Sequence, residues 1–127
     1  MSTWCNGAPG ILLARSRVLA IDDIGTARED FDLALSTTRA ATSTAVHLCC
    51  GTAGIDEILY EVGLRNSDAA LTEVARRRAM QIEIHEDGTA PRVLSHAFIR
   101  GSAGLGFLLL RMSSKGHELA TVLDLSV

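Results

Sequence analysis

The sequence predicts an all-α protein made of α/α helical-hairpin repeats, and three observations lead there. A pattern of the form Gly-x-(Ala/Pro)-Gly-(Ile/Leu) recurs at Gly7–Ile11, Gly51–Ile55 and Gly101–Leu105, at spacings of 44 and 50 residues. A period of this size marks a repeat architecture. Each copy is followed by apolar residues at helical spacing, the signature of a helix with one buried face. Further helical patterns with start signals lie between the copies.

The first turn, CNGAPGILL, feeds a short helix carrying Ile11, Leu12, Val18 and Leu19. Thr26 and Glu29 have capping-box spacing, so a longer helix is expected there, with Phe31, Ala34, Leu35, Thr38, Ala41, Thr42 and Ala45 on one face. The second turn, CCGTAGIDEIL, opens another short helix with Ile55, Ile58, Leu59 and Val62 inward. Ser67 is the expected N-cap of the next helix, with Asp68 favourable in its first turn. Its apolar side is Leu71, Val74, Ala75, Ala79 and Ile82, and the run Arg76-Arg77-Arg78, partly opposite, reads as a solvated face. The segment QIEIHEDGTAPRV is ambiguous: Ile82 and Ile84 alternate before Asp87-Gly88, which allows a brief strand pair. The third turn, IRGSAGLGFLL, starts a last short helix with Leu105, Leu108, Leu109 and Met112. Glycine in these turns lets each helix start close against its neighbours.

Composition narrows the functional classes. The chain has 127 residues, which predicts one domain able to bury a core without disulfide staples. Aromatic residues make up only 4%, so that core must rest on Leu, Ile, Val and Ala. A net charge of −3 with no basic block beyond Arg76–Arg78 argues against a nucleic-acid surface. No apolar run approaches the ~20 residues that span a bilayer, and MSTWCNGAPG lacks the features of a signal peptide. A cytoplasmic protein with reduced thiols is expected.

The three cysteines, Cys5, Cys49 and Cys50, carry the chemistry, and four readings compete for them. Buried free cysteines are small hydrophobes. A disulfide is disfavoured by the compartment, and a vicinal one is strained. A catalytic thiol at a helix N-terminus, with nearby His47 as base, is the third reading. The fourth is a metal. Cys5 and Cys49 each stand two positions before the first glycine of a repeat, so repeat symmetry brings them together, and Cys50 adjoins Cys49 on a turn where neighbours can converge. Three thiolates would hold zinc and leave a fourth position open. His47 is a lesser candidate for that position. His85, His96 and His117 read as structural or solvated, and Trp4 as packing beside the first turn.

The motifs TWCNGAPGILLAR, HLCCGTAGIDEILYEVG and RGSAGLGFLLLRM resemble, in order and separation, those of the lanthionine synthetase C-like cyclases. They look most like the C-terminal cyclase domain of class II lanthipeptide synthetases. The resemblance covers nearly the whole chain, and it implies zinc bound by Cys5, Cys49 and Cys50. Asn6 departs from the His or Tyr common after the first cysteine, at a position that is not a ligand. The implied reaction adds a cysteine thiol of a precursor peptide to dehydroalanine or dehydrobutyrine in the same peptide, giving lanthionine or methyllanthionine.

The resemblance also implies a fold, a closed α/α toroid, of which residues 1–127 would be an incomplete, roughly three-repeat C-terminal part. The family's acid/base histidine and aspartate lie upstream of the Trp-Cys motif, and its arginine falls near Met1. The expectation is therefore a zinc-binding part of a cyclase, inactive alone. Its partners would be a lanthipeptide precursor and the remaining part of a synthetase, with no nucleic acid or membrane involved. The alternative is a non-catalytic α/α repeat module with structural zinc or a peptide-binding role. Apolar ends left without neighbouring repeats predict oligomerisation or marginal stability.

Overall fold

The computed structural model describes residues 2–22, 24–82, 96–113 and 119–123. Within them are five helices: α1 (Ala8–Val18), α2 (Gly25–Ala40), α3 (Thr52–Arg65), α4 (Ala69–Met80) and α5 (Ser102–Arg111). No strand occurs among the described residues; the possible strand pair after Ile82 falls largely in 83–95, outside them. α1 and α2 pack as one hairpin and α3 and α4 as a second, with α1 against α3 and α5 against both α3 and α4. The all-α hairpin architecture is as expected. The alternation of short and long helices is not: α3, with 14 residues, exceeds α4, with 12.

The repeat is physical as well as textual. A Cβ on Gly10 would stand 2.1 Å from the Trp4 carbonyl oxygen, on Gly54 1.9 Å from that of Leu48, and on Gly104 1.9 Å from that of Phe98. Each carbonyl belongs to the residue six positions earlier. All three turns therefore run back against the first turn of the helix they open, at a separation no Cβ tolerates. Trp4, Leu48 and Phe98 are equivalent, and so are Cys5, Cys49 and Ile99.

α3 is the centre of the molecule. Every residue from Ala53 to Gly63 is buried, because α1, α2, α4 and α5 all pack on it. That run includes three acids, and each is paired. Arg78 Nε on α4 lies 2.7 Å from Asp56 Oδ1. Arg111 Nη1 on α5 donates to Glu57 Oε1 at 2.9 Å, and Nη2 donates to Glu61 Oε2. The Arg111 guanidinium also stands 5.2 Å over the Tyr60 ring, a cation–π contact.

Several local expectations need correction. The Thr26–Glu29 capping box does not form: α2 starts at Gly25 with Ile24 as N-cap and no side-chain cap, which places Thr26 inside the first turn. α2 stops at Ala40, so Ala41, Thr42 and Ala45 belong to the connection that follows. The N-cap of α4 is Asp68, not Ser67; its Oδ1 accepts the Leu71 N–H at 2.9 Å. Ser67 precedes it with a φ of 54°, turning the chain. Arg76 and Arg77 pair with Glu73 on the surface, as a solvated face would. Arg78 departs from that reading: besides Asp56, it donates to the carbonyls of Arg39 and Ala41 at 3.0 Å each, closing the C-terminus of α2. No helix among the described residues is long and apolar enough to cross a membrane.

Candidate metal centre

The three cysteines reach one point because of the turns that carry them. Cys49 and Cys50 sit at the end of the connection 41–51, which is held at many points. Thr52 N–H donates to the Ala45 carbonyl at 2.9 Å, and Thr52 Oγ1 donates to the Ser43 carbonyl at 3.0 Å. Ser43 Oγ donates to the Cys50 carbonyl at 3.2 Å. Gly51 N–H donates to the His47 carbonyl at 3.0 Å, and a Cβ on Gly51 would stand 2.5 Å from that same oxygen. Adjacent side chains on a regular helix would diverge by about 100°; on this turn they converge. The third repeat joins in, since Cys49 N–H donates to the Ile99 carbonyl at 3.1 Å.

Cys5 approaches from the first turn. Buried Thr3 organises it: Thr3 Oγ1 accepts the Asn6 N–H at 3.2 Å and lies 3.7 Å from Cys5 Sγ. Sequence reasoning overlooked Thr3, although a threonine three residues before a backbone N–H that starts a turn is a recognisable local motif.

The Sγ atoms of Cys5, Cys49 and Cys50 all lie within 4.8 Å of one another. Cys5 to Cys50 is 3.9 Å and Cys49 to Cys50 is 3.1 Å. All three thiols are free. Sulfurs bound at ~2.3 Å to one tetrahedral ion are about 3.8 Å apart, so small side-chain adjustments would let this set take zinc. Cys5 is exposed and the other two are half-buried, which leaves the cluster open to solvent on the Cys5 side.

The electrostatics favour a cation. The Cys5 thiol is lowered from its ordinary value, first by the Thr3 hydroxyl and then by Cys50. The Cys50 thiol is pushed up to about 12, first by its hydrogen bond with Cys49 and then by burial and the facing sulfurs. Three thiolates this close repel one another unless a cation lies between them, and a metal ion inverts that balance.

His47 is not part of the cluster. Its Nδ1 accepts the Cys50 N–H at 3.2 Å, so the ring braces the turn. Burial lowers its pKa, with Arg100 adding to the effect, which keeps the ring neutral and able to accept. His96 pairs with Ser102 at 3.1 Å on the surface, while His85 and His117 lie outside the described residues. Trp4 packs against the core beside the first turn.

Fold and site together define a helical-repeat protein whose glycine turns gather three thiols able to hold a metal ion. The chain belongs to the lanthionine synthetase C-like protein family, whose sequence profile matches residues 1–124. No curated protein and no solved structure matches it.

Proposed function

We propose that these residues form the zinc- and thiol-binding part of a thioether-forming cyclase, the C-terminal part of the cyclase domain of a class II lanthipeptide synthetase. Cys5, Cys49 and Cys50 would hold the zinc, and the fourth position would receive a cysteine of the precursor peptide. The convergence of the three sulfurs carries this reading. Zinc supplies the charge that keeps an incoming thiol ionised near neutral pH. The chain's own residues do the rest of the binding work. The Thr3 turn and the 41–51 connection fix the ligand geometry before substrate arrives, and His47 braces the turn from behind. In the family this reading points to, the histidine and aspartate proposed to protonate the enolate carbon lie upstream of the Trp-Cys motif.

A structural-zinc module with a closed site is the other reading. The engagement of His47 Nδ1 with the Cys50 backbone favours the open site, because it occupies one nitrogen of the nearest candidate for a fourth ligand. The test is a titration of the purified protein with zinc and then with Co2+ as a spectroscopic substitute. We expect one ion per chain, lost when Cys49 or Cys50 becomes serine, and a change in the Co2+ absorption when an exogenous thiol is added. A Co2+ spectrum already showing four protein ligands and indifferent to thiol would support the structural reading instead. On a dehydrated precursor peptide, the 127 residues alone should leave the alkylatable thiols intact.

A further inference from the structure

The three turns that surround the cluster are chemically lopsided. Residues 2–10, 42–53 and 96–104 contain no aspartate or glutamate, and their one permanently charged side chain is Arg100. Arg100 occupies, in the third repeat, the place that Asn6 holds in the first and Cys50 in the second, directly before the first glycine. At both equivalent places the side chain reaches the cluster: Asn6 Nδ2 lies 3.9 Å from Cys5 Sγ, and Cys50 Sγ is a member of it. The third turn is joined to the site through the bond from Cys49 N–H to the carbonyl of Ile99, the residue immediately before Arg100. Arg100 is exposed, and no ion pair holds it among the described residues.

We propose that Arg100 is a specificity-determining residue of this site, a docking cation for a carboxylate on the peptide close to the cysteine whose thiol approaches the cluster. The inference rests on the proposed thiol-binding function and deepens it by naming a substrate feature: an acidic residue, or a chain terminus, near the reacting cysteine. The chemistry is that of a guanidinium, whose planar fork accepts a carboxylate through two parallel hydrogen bonds. A second role follows from the same charge. With three cysteine sulfurs and an incoming thiol as ligands, the site carries more negative charge than a divalent ion neutralises, and a nearby cation offsets it without being a ligand.

Two short peptides test this, Cys-Gly-Asp-amide and Cys-Gly-Asn-amide, each acetylated at its N-terminus. Both are titrated against the Co2+-loaded protein at low ionic strength, and the Co2+ absorption reports binding. The protein should bind the aspartate peptide about threefold more tightly, the scale of a single partly exposed ion pair. The preference should vanish in Arg100→Gln, persist in part in Arg100→Lys, and fade in the parent protein as salt is raised. Uptake of Co2+ should be retained in both variants. Equal affinity for the two peptides in the parent protein, or a preference that survives in Arg100→Gln, overturns the role of Arg100 and leaves the thiol-binding function standing. Failure of both peptides to change the spectrum overturns the thiol-binding function, and this inference with it.

Discussion

Gly54 shows how much one missing methyl group decides. Its Cα faces the Leu48 carbonyl so closely that a Cβ would lie 1.9 Å from the oxygen and 2.9 Å from the carbon. Both are backbone atoms, so no rotamer change relieves the overlap. Leu48 immediately precedes the two cysteines, so the displaced segment is the one that aims them. We expect Gly54→Ala to cost at least about 2 kcal/mol of stability, in the range of overpacked cores, and to weaken zinc binding. Gly106→Ala is the control: nothing lies within 4 Å of its added Cβ, and replacing a mid-helix glycine should stabilise by up to about 1 kcal/mol. Urea denaturation of both variants, with zinc titration of the first, checks this; a Gly54→Ala protein as stable as its parent would refute the close-approach argument. These glycines were legible in the sequence because a tight turn leaves a fixed local spacing. Thr3 was not singled out, since one hydroxyl leaves no pattern that repeats.

At the scale of elements, paired charges lock the helices. Arg78 ties α4 to Asp56 on α3 and to the carbonyls of Arg39, in the last turn of α2, and Ala41, just beyond it, and Arg111 ties α5 to Glu57 and Glu61 on α3. The burial of Asp56 has a pH signature. Desolvation raises its pKa from 3.8 to about 6, with Arg78 opposing the rise. The folded state therefore keeps the proton to higher pH than the unfolded chain does. The stability Asp56 contributes is fully present below about pH 4 and is lost as pH rises through about 6. The size of the shift corresponds to roughly 2–3 kcal/mol. Asp56→Asn carries no such dependence, so its stability relative to the parent should improve by about that amount between pH 4 and pH 7.5, read from urea unfolding at each pH. A difference between the two proteins that is the same at both values would rule this out. None of these pairs was visible in the sequence pattern. The partners of Arg78 and Arg111 lie up to 39 and 54 residues away, and helical periodicity speaks only of neighbours within a turn or two. It also marks Asp56, Glu57 and Glu61 as solvent-facing, whereas a helix enclosed on all sides has no solvent face.

For the whole molecule, the repeat shows which surfaces lack a neighbour. Ile55 and Leu105 are each 1% exposed, yet the equivalent Ile11 is 50% exposed. At the other end Leu110 is 59% exposed, while its counterparts Ser16 and Tyr60 are each 4% exposed. Leu33 and Ile21 add to the open apolar surface on the α1–α2 side, at 70% and 90%. Positions that the repeat buries internally are thus uncovered at its ends, as in solenoids without caps. A protein of these 127 residues should self-associate, with sedimentation coefficients that rise with concentration. The double variant Ile11→Glu, Leu110→Glu should shift it toward monomer. Sedimentation as a monomer at every concentration, with a sharp melt independent of concentration, would count against this.

The sequence by itself determined the all-α class, the three equivalent glycine turns, and the correspondence of Cys5 with Cys49. Those properties are local: a backbone that can bend or approach closely only at glycine, and apolar residues spaced by the helical turn. Only the tertiary structure decided that Cys50 turns toward the other two sulfurs, that His47 braces the backbone of their turn, and that α3 buries its acids against arginines from α4 and α5. Each of those outcomes joins segments far apart in the chain or depends on which way a turn points. Both are settled by packing, because the energy of a contact depends on distance in space and carries no trace of distance along the sequence.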